Sequence, residues 1–245
     1  MEKQDYLQAL RRETDALVAV ARFGLGAAVP SCPGWQVGDV VAHVGQAMNW
    51  MSEIVETKAQ APLWSQADDH GFDWRAPGTL DWFVGSRDRF LAVTEAADPE
   101  EPVWSWAGDN RVLFWLRLEA MEAAIHRWDA QGARGEREDI DPALAVDAVD
   151  ATIGWFLPGR RRRSTLPDRG ERYHFEQTDG SGRWLVRFAD GTVMAGRGSE
   201  EADATAAGTA SDILLFIWGR LPVSALRVSG NAEVMERFFR LVPPV

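Results

Sequence analysis

The chain is poor in cysteine: Cys32 is the single one in 245 residues. That excludes an intrachain disulfide framework and a cysteine-rich zinc finger. It also suits a reducing cytosol, so a cytoplasmic location is expected. Basic residues are in deficit, 26 against 37 acidic, giving a net charge of −11. This balance argues against a nucleic-acid surface and against attraction to anionic membranes. No uninterrupted apolar run is long enough to span a bilayer. The opening Met1-Glu2-Lys3-Gln4-Asp5 is too polar for the start of a signal peptide. Histidine is scarce, four residues in all. What is present is core-building material: 46% of residues are hydrophobic, and twelve tryptophans stand against two tyrosines. Most of those indoles are assigned to packing.

The pattern changes character near the middle. Apolar residues at helical spacing predict helices over 5–23, 37–58, 79–97 and 112–130, with Thr79 as a cap. Four such helices with polar loops imply a four-helix bundle. A fifth helix is expected over 142–156, with Asp141 capping it and Pro142 in the first turn. The run Pro158-Gly159-Arg160-Arg161-Arg162-Arg163 reads as a solvated linker, which places a helical domain at 1–158 and a second domain at 159–245. Beyond it, strands are expected over 172–177, 183–188, 192–195, 202–207 and 226–228, with Asp190-Gly191 as a hairpin turn. Helices starting at a Ser211 cap and over 232–241 complete a small α+β module.

Two of the four histidines fall on bundle helices. His43 flanks the apolar stripe of the second helix, on the side of Ala47, Trp50 and Ile54. His126 lies on the fourth, one turn after Glu122, and Glu119 is one turn further back. A carboxylate and an imidazole on one helix, with an imidazole from a neighbour, make a three-ligand N/O site with an open position, which suits zinc or another divalent ion. A Glu and a His one turn apart also serve as an ordinary surface pair, and a lone His beside an apolar stripe as a hydrogen-bonded core residue, so spacing alone leaves metal binding open. His70 reads as exposed in an acidic loop, and His174 as a sheet position.

Three stretches carry a resemblance. They are Val29-Pro30-Ser31-Cys32-Pro33-Gly34-Trp35 leading into Asp39-Val40-Val41-Ala42-His43; Glu122-Ala123-Ala124-Ile125-His126-Arg127-Trp128-Asp129; and Gly208-Thr209-Ala210-Ser211-Asp212-Ile213-Leu214-Leu215 running to Trp218-Gly219-Arg220. In order and separation they resemble the mycothiol-dependent maleylpyruvate isomerase family, within the DinB-like metalloprotein superfamily. The resemblance covers nearly the whole chain. It implies a DinB-like four-helix bundle followed by a small α+β, sterol-carrier-like C-terminal domain. It also implies zinc held by His43, Glu122 and His126, with Arg220 associated with the active site. A helix-end charge interacting with the dipole is the plainer reading of Arg220.

The family's cosubstrate thiol, mycothiol, then becomes the expected nucleophile, since Cys32 is assigned to packing. Such a thiol would add to an electrophilic small molecule. For a maleylpyruvate-type keto acid, rotation and elimination would give cis–trans isomerisation, with Arg220 pairing a substrate carboxylate. A mycothiol S-transferase acting on xenobiotic or biosynthetic electrophiles is the close alternative. A metal- or thiol-binding module without turnover, or a plain structural helical protein, is the distant one. Asp129 and Glu119 are read either as groups orienting an imidazole or as surface carboxylates. Trp64, Trp74, Trp104 and Trp106 are candidates for lining a broad pocket. The Arg160 to Arg163 run is weighed as an anion attractor but assigned to the solvated linker.

Overall fold

The computed structural model describes residues 1–63 and 72–244. The fold is α+β and divides into two compact units, Met1–Glu138 and Asp139–Val245.

The first unit holds α1 (Lys3–Ala21), α2 (Val37–Glu56), α3 (Thr79–Ala96) and α4 (Val112–Gly132). Helix starts are fixed locally: the Glu2 amide donates to Asp5 Oδ2, and the Gln36 amide to Asp39 Oδ2, each at 2.7 Å. At α3 the cap falls one residue before the expected Thr79. Gly78 takes that place at φ +86°, and the Thr79 hydroxyl instead donates to the carbonyls of Trp74 and Ala76. Helix α1 packs on α4 and α2 on α3, with α2 also lying against α4. Leu10, Leu17, Val40, Val44, Met48, Phe83, Phe90 and Trp115 fill the core between them. One approach is unusually close. A Cβ at Gly38 would lie 2.1 Å from the Trp74 ring, whose Nε1 donates to Asp39 Oδ1 at 2.6 Å. Position 38 therefore admits only hydrogen.

The second unit starts with α5 (Pro142–Ala151), capped as expected by Asp141, which accepts from the amides of Ala143 and Leu144. The helical path does not stop at 156. A π-helical turn (Thr152–Phe156) carries it into α6 (Leu157–Arg163). This corrects the solvated-linker reading of the arginine run. Pro158 sits in the first turn of α6, where its missing N–H costs nothing. Arg160 and Arg161 are buried, with guanidinium bonds to the carbonyls of Ile217 and Leu166 and to Asp168. Long arginine stems bury apolar length while the head finds fixed acceptors. The compact division accordingly comes at 138/139, some way before the 158/159 boundary expected from Pro, Gly and charge.

Five strands follow: β1 (Arg172–Gln177), β2 (Arg183–Ala189), β3 (Thr192–Arg197), β4 (Ala204–Gly208) and β5 (Arg227–Gly230). They form one sheet in the order β3-β2-β1-β4-β5. Only β1 and β4 run parallel. The Asp190-Gly191 turn has both residues at positive φ, the conformation a tight two-residue hairpin needs. Helices α7 (Ala210–Ile217) and α8 (Ala232–Leu241) pack on the sheet. Tyr173, Phe175, Phe216 and Phe238 interlock between them. Thr209, not Ser211, caps α7; the Ser211 hydroxyl is occupied by the Ile140 amide. His174 sits in β1 as expected. No helix among the described residues is long and apolar enough to cross a membrane.

Candidate metal centre

The first unit brings together the three residues the sequence had aligned on helix faces. His43 projects from α2, and Glu122 and His126 from α4. One ligand atom from each lies within 4.8 Å of the others. The two imidazole rings meet edge to face with centroids 4.9 Å apart, and His126 Nε2 stands 3.5 Å from Glu122 Oε2. Burial grades across the trio: His43 is exposed, Glu122 half-buried and His126 buried. One side of the cluster is thus open and the other embedded.

The donor chemistry fits a divalent ion. Two imidazoles and a carboxylate are a familiar catalytic zinc set, and three protein ligands leave a coordination position free. The 4.8 Å spread is wider than the edge of about 3.4 Å in a tetrahedron with bonds of about 2.0–2.1 Å, so the three side chains would have to draw together on an ion.

Behind the cluster, Asp129 is fully buried and its Oδ2 stands 3.2 Å from His126 Nδ1. Burial opposes a charge on His126; Asp129 and Glu122 outweigh it and hold its pKa above the ordinary value. Glu119, one turn before Glu122, is also fully buried, and neither carboxylate oxygen has a hydrogen-bond partner. Burial, reinforced by Glu122, pushes its carboxyl well above the usual range. The surface-carboxylate alternative therefore fails for both residues: each is fully buried on a helix that is itself buried over most of its circumference.

A short turn closes over this arrangement. Within residues 29–35 the amide of Val29 donates to the carbonyl of Trp35, and those of Cys32 and Trp35 continue the turn. Trp35 lies near-parallel to His126, with ring centroids 6.1 Å apart, and edge-on to His43 at 5.3 Å. Ser31 Oγ donates to Asp129 Oδ1 at 2.6 Å, and Cys32 Sγ lies 3.4 Å from Oδ2. Cys32 thus touches the carboxylate behind a ligand candidate, where only packing was expected. A cleft of about 650 Å³ is lined by Pro30, Pro33, Trp35, Gln36, Asp39 and Arg75.

Residues 7–131 match the family model of the mycothiol maleylpyruvate isomerase N-terminal domain, and residues 143–237 that of the MDMPI C-terminal domain. The chain belongs to the mycothiol-dependent maleylpyruvate isomerase family. Two solved structures share the fold of this family member. The crystal structure of the mycothiol-dependent maleylpyruvate isomerase is 14% identical, with 94% of this chain and 93% of that one covered and a TM-score of 0.67. A point mutant of a mycothiol-dependent maleylpyruvate isomerase is 12% identical, with the same coverage and a TM-score of 0.68. No curated protein sequence matches the chain.

Other candidates of the sequence fall differently in this family member. Arg220 follows α7 in the second unit, where its Nη1 donates to the Trp218 carbonyl at 3.0 Å. Trp74 is seated on Gly38, and Trp104 packs with Trp50 and Trp115, so both serve the bundle core. Trp106 is exposed and contacts Phe114. Trp64 and His70 lie outside the described residues. Trp35 was missed as a site residue. Its signal was a tryptophan ending a Pro- and Gly-rich turn just before the helix that carries His43.

Proposed function

We propose that the protein is a metal-dependent enzyme in which mycothiol adds to an electrophilic small molecule, with cis–trans isomerisation of the maleylpyruvate type as the reaction. The observation that carries this reading is the convergence of His43, Glu122 and His126 from two packed helices with one side open. Family membership supplies the thiol and the reaction class. Zinc, the ion this donor set suits, would lower the pKa of a thiol in the open position so that it reacts as its anion near neutral pH.

The chain's own residues then have distinct tasks. His43 and His126 offer neutral nitrogen donors, and Glu122 offers the negative charge that balances a divalent ion. Trp35, offset and near-parallel to His126, borders the same side of the centre as His43. The exposure of His43 leaves an approach for thiol and electrophile. Arg220 is assigned the substrate carboxylate, because a planar guanidinium pairs with it through two parallel hydrogen bonds. Addition of the thiolate sulfur to an alkene carbon turns the double bond into a single bond. Rotation and expulsion of the same thiolate restore the alkene in the trans form, with no net change in the thiol.

Metal analysis tests the centre directly. Wild-type protein is expected to carry about one zinc ion per chain, with His43→Ala and His126→Ala strongly depleted. Equal metal content in all three would overturn the assignment. An assay with mycothiol and maleylpyruvate tests the reaction. Isomerisation leaves the thiol concentration constant, stoichiometric thiol loss would mean an S-transferase, and loaded protein without turnover would mean a binding module. Arg220→Lys is expected to keep its zinc and lose turnover of a carboxylate substrate.

A further inference from the structure

The turn over 29–35 has a purpose that the three ligand candidates do not account for. His126 is held at both ring nitrogens by carboxylates from adjacent turns of its own helix, Glu122 four residues before and Asp129 three after. Glu122 reaches the Nε2 side, at 3.5 Å, where the cluster opens. Asp129 reaches Nδ1, at 3.2 Å, and is itself buried. A carboxylate only accepts, so each contact calls for a hydrogen. When the ring is neutral and carries one, it goes to Nδ1, where the contact is shorter and the carboxylate fully buried, and Nε2 keeps its lone pair toward the open side shared with His43 and Glu122.

Asp129 would not hold this position by itself, because a buried carboxylate needs donors. Ser31 supplies one to the other oxygen, at 2.6 Å, and Cys32 Sγ stands 3.4 Å from the oxygen that His126 uses. Both come from the same turn that lays Trp35 over the two imidazole rings. One short segment therefore braces His126 in two ways, by an indole against the ring face and by a hydroxyl on the carboxylate behind it.

We propose that Asp129, braced by Ser31, is a positioning residue: it fixes His126 as the Nδ1–H tautomer and aims Nε2 into the metal centre. This rests on the metal-dependent reading above, but the tautomer is a property of the metal-free protein and is measured separately. Carboxylates behind a ligand imidazole raise its basicity and lock its rotation, and their removal weakens metal binding by about ten- to a hundredfold.

The test uses the full chain, labelled with ¹⁵N-histidine and stripped of metal by a chelator, with His126 signals assigned by comparison with His126→Ala. Recorded at a pH high enough to leave the ring neutral, the wild type is expected to show His126 protonated at Nδ1 and bare at Nε2. Asp129→Asn is expected to mix the two tautomers and to bind zinc about ten- to a hundredfold more weakly in chelator competition. Ser31→Ala, which leaves the carboxylate in place, is expected to move both readings in the same direction by less. A wild-type His126 bearing its hydrogen on Nε2 overturns the inference. So does a folded Asp129→Asn variant with unchanged tautomer and zinc affinity. Should Asp129→Asn fail to fold, the wild-type tautomer and the Ser31→Ala pair decide. A wild type with the Nδ1–H tautomer that binds no zinc would sink the metal reading while leaving the Asp129–His126 link intact.

Discussion

The bundle and the sheet unit both bury charged side chains, and they treat them differently. In the sheet unit Arg161 meets Asp168 at 3.0 Å and Arg237 meets Glu171 at 2.7 Å, with both carboxylates and the Arg161 guanidinium largely out of solvent. In the bundle, helix α4 carries both kinds. Arg127 is bonded to Glu13, Gln131 and the Glu138 carbonyl. Two turns earlier Glu119 has no hydrogen-bond partner at all. An arrangement selected for stability alone would pair or remove such a carboxyl, since burying it unsatisfied costs about 1–3 kcal/mol. The contrast marks the face of α4 that carries Glu119, Glu122, His126 and Asp129 as the part shaped by chemistry, and the ion pairs of Arg127, Arg161 and Arg237 as scaffolding.

The largest effect that would sharpen this contrast is in the scaffold. Phe238 is fully buried among Tyr173, Phe175 and Phe216, so Phe238→Ala should destabilise the second unit by about 3–5 kcal/mol. Hydrogen exchange resolved by unit should show the loss there, with the metal content of the bundle unchanged. Matching metal loss would break the separation of roles.

Acidity provides the second cut, because the two buried glutamates respond in opposite senses. Glu119 titrates in the native state well above its ordinary value of 4.5. The native bundle therefore holds that proton longer than the unfolded chain, and stability is lost as pH rises through 4.5 toward the native value. Burial also opposes ionisation of Glu171, but the amides of Arg169 and Glu171 and the Arg237 guanidinium outweigh it and hold its pKa below 4.5. Its contribution is present above the unfolded value and disappears as pH falls through the native one. Urea unfolding of metal-free protein should show Glu119→Gln gaining on the wild type with rising pH. Glu171→Gln should instead lose part of the wild type's advantage at neutral pH and become insensitive to acid on this account. Parallel pH profiles for the two variants would defeat the comparison.

The smallest effect is expected at the surface. Arg89 makes two hydrogen bonds to Glu56 between α3 and α2, with both side chains well exposed. Arg89→Ala should cost under about 1 kcal/mol, and less at high salt. A larger loss would mean that exposed pairs contribute more to the bundle than its buried ones.

Much of the fold was legible because period and punctuation are local. The stripes of α1 to α4, the Asp141 cap and the Asp190-Gly191 turn are written in neighbouring residues, and they fall within a few positions of expectation. The trio of His43, Glu122 and His126 was legible only as faces of separate helices; convergence depends on how α2 and α4 pack. Residues whose role is set by tertiary surroundings were not legible. In sequence Glu119 and Asp129 fit an imidazole-orienting group and a surface carboxylate equally well, and only their burial decides, while Arg160 and Arg161 look like a solvated run. The continuation of the helical path over 157–163 was hidden because Pro158 and Gly159 usually end helices, whereas a π turn resets the register before them. The place of Trp35 at the end of a Pro- and Gly-rich turn was legible, but its histidine contacts depend on how that turn folds back over α2 and α4.

The bare Cα of Gly38 ties two distant stretches of sequence together. Its missing side chain is the seat of the Trp74 indole, which in turn bonds Asp39 in the first turn of the helix that carries His43. Homologues that place any larger residue at 38 must give up the tryptophan at 74, and those that keep the tryptophan must keep the glycine. The two positions should drift through evolution as a single coupled character, with the entry angle of the histidine-bearing helix inherited along with them.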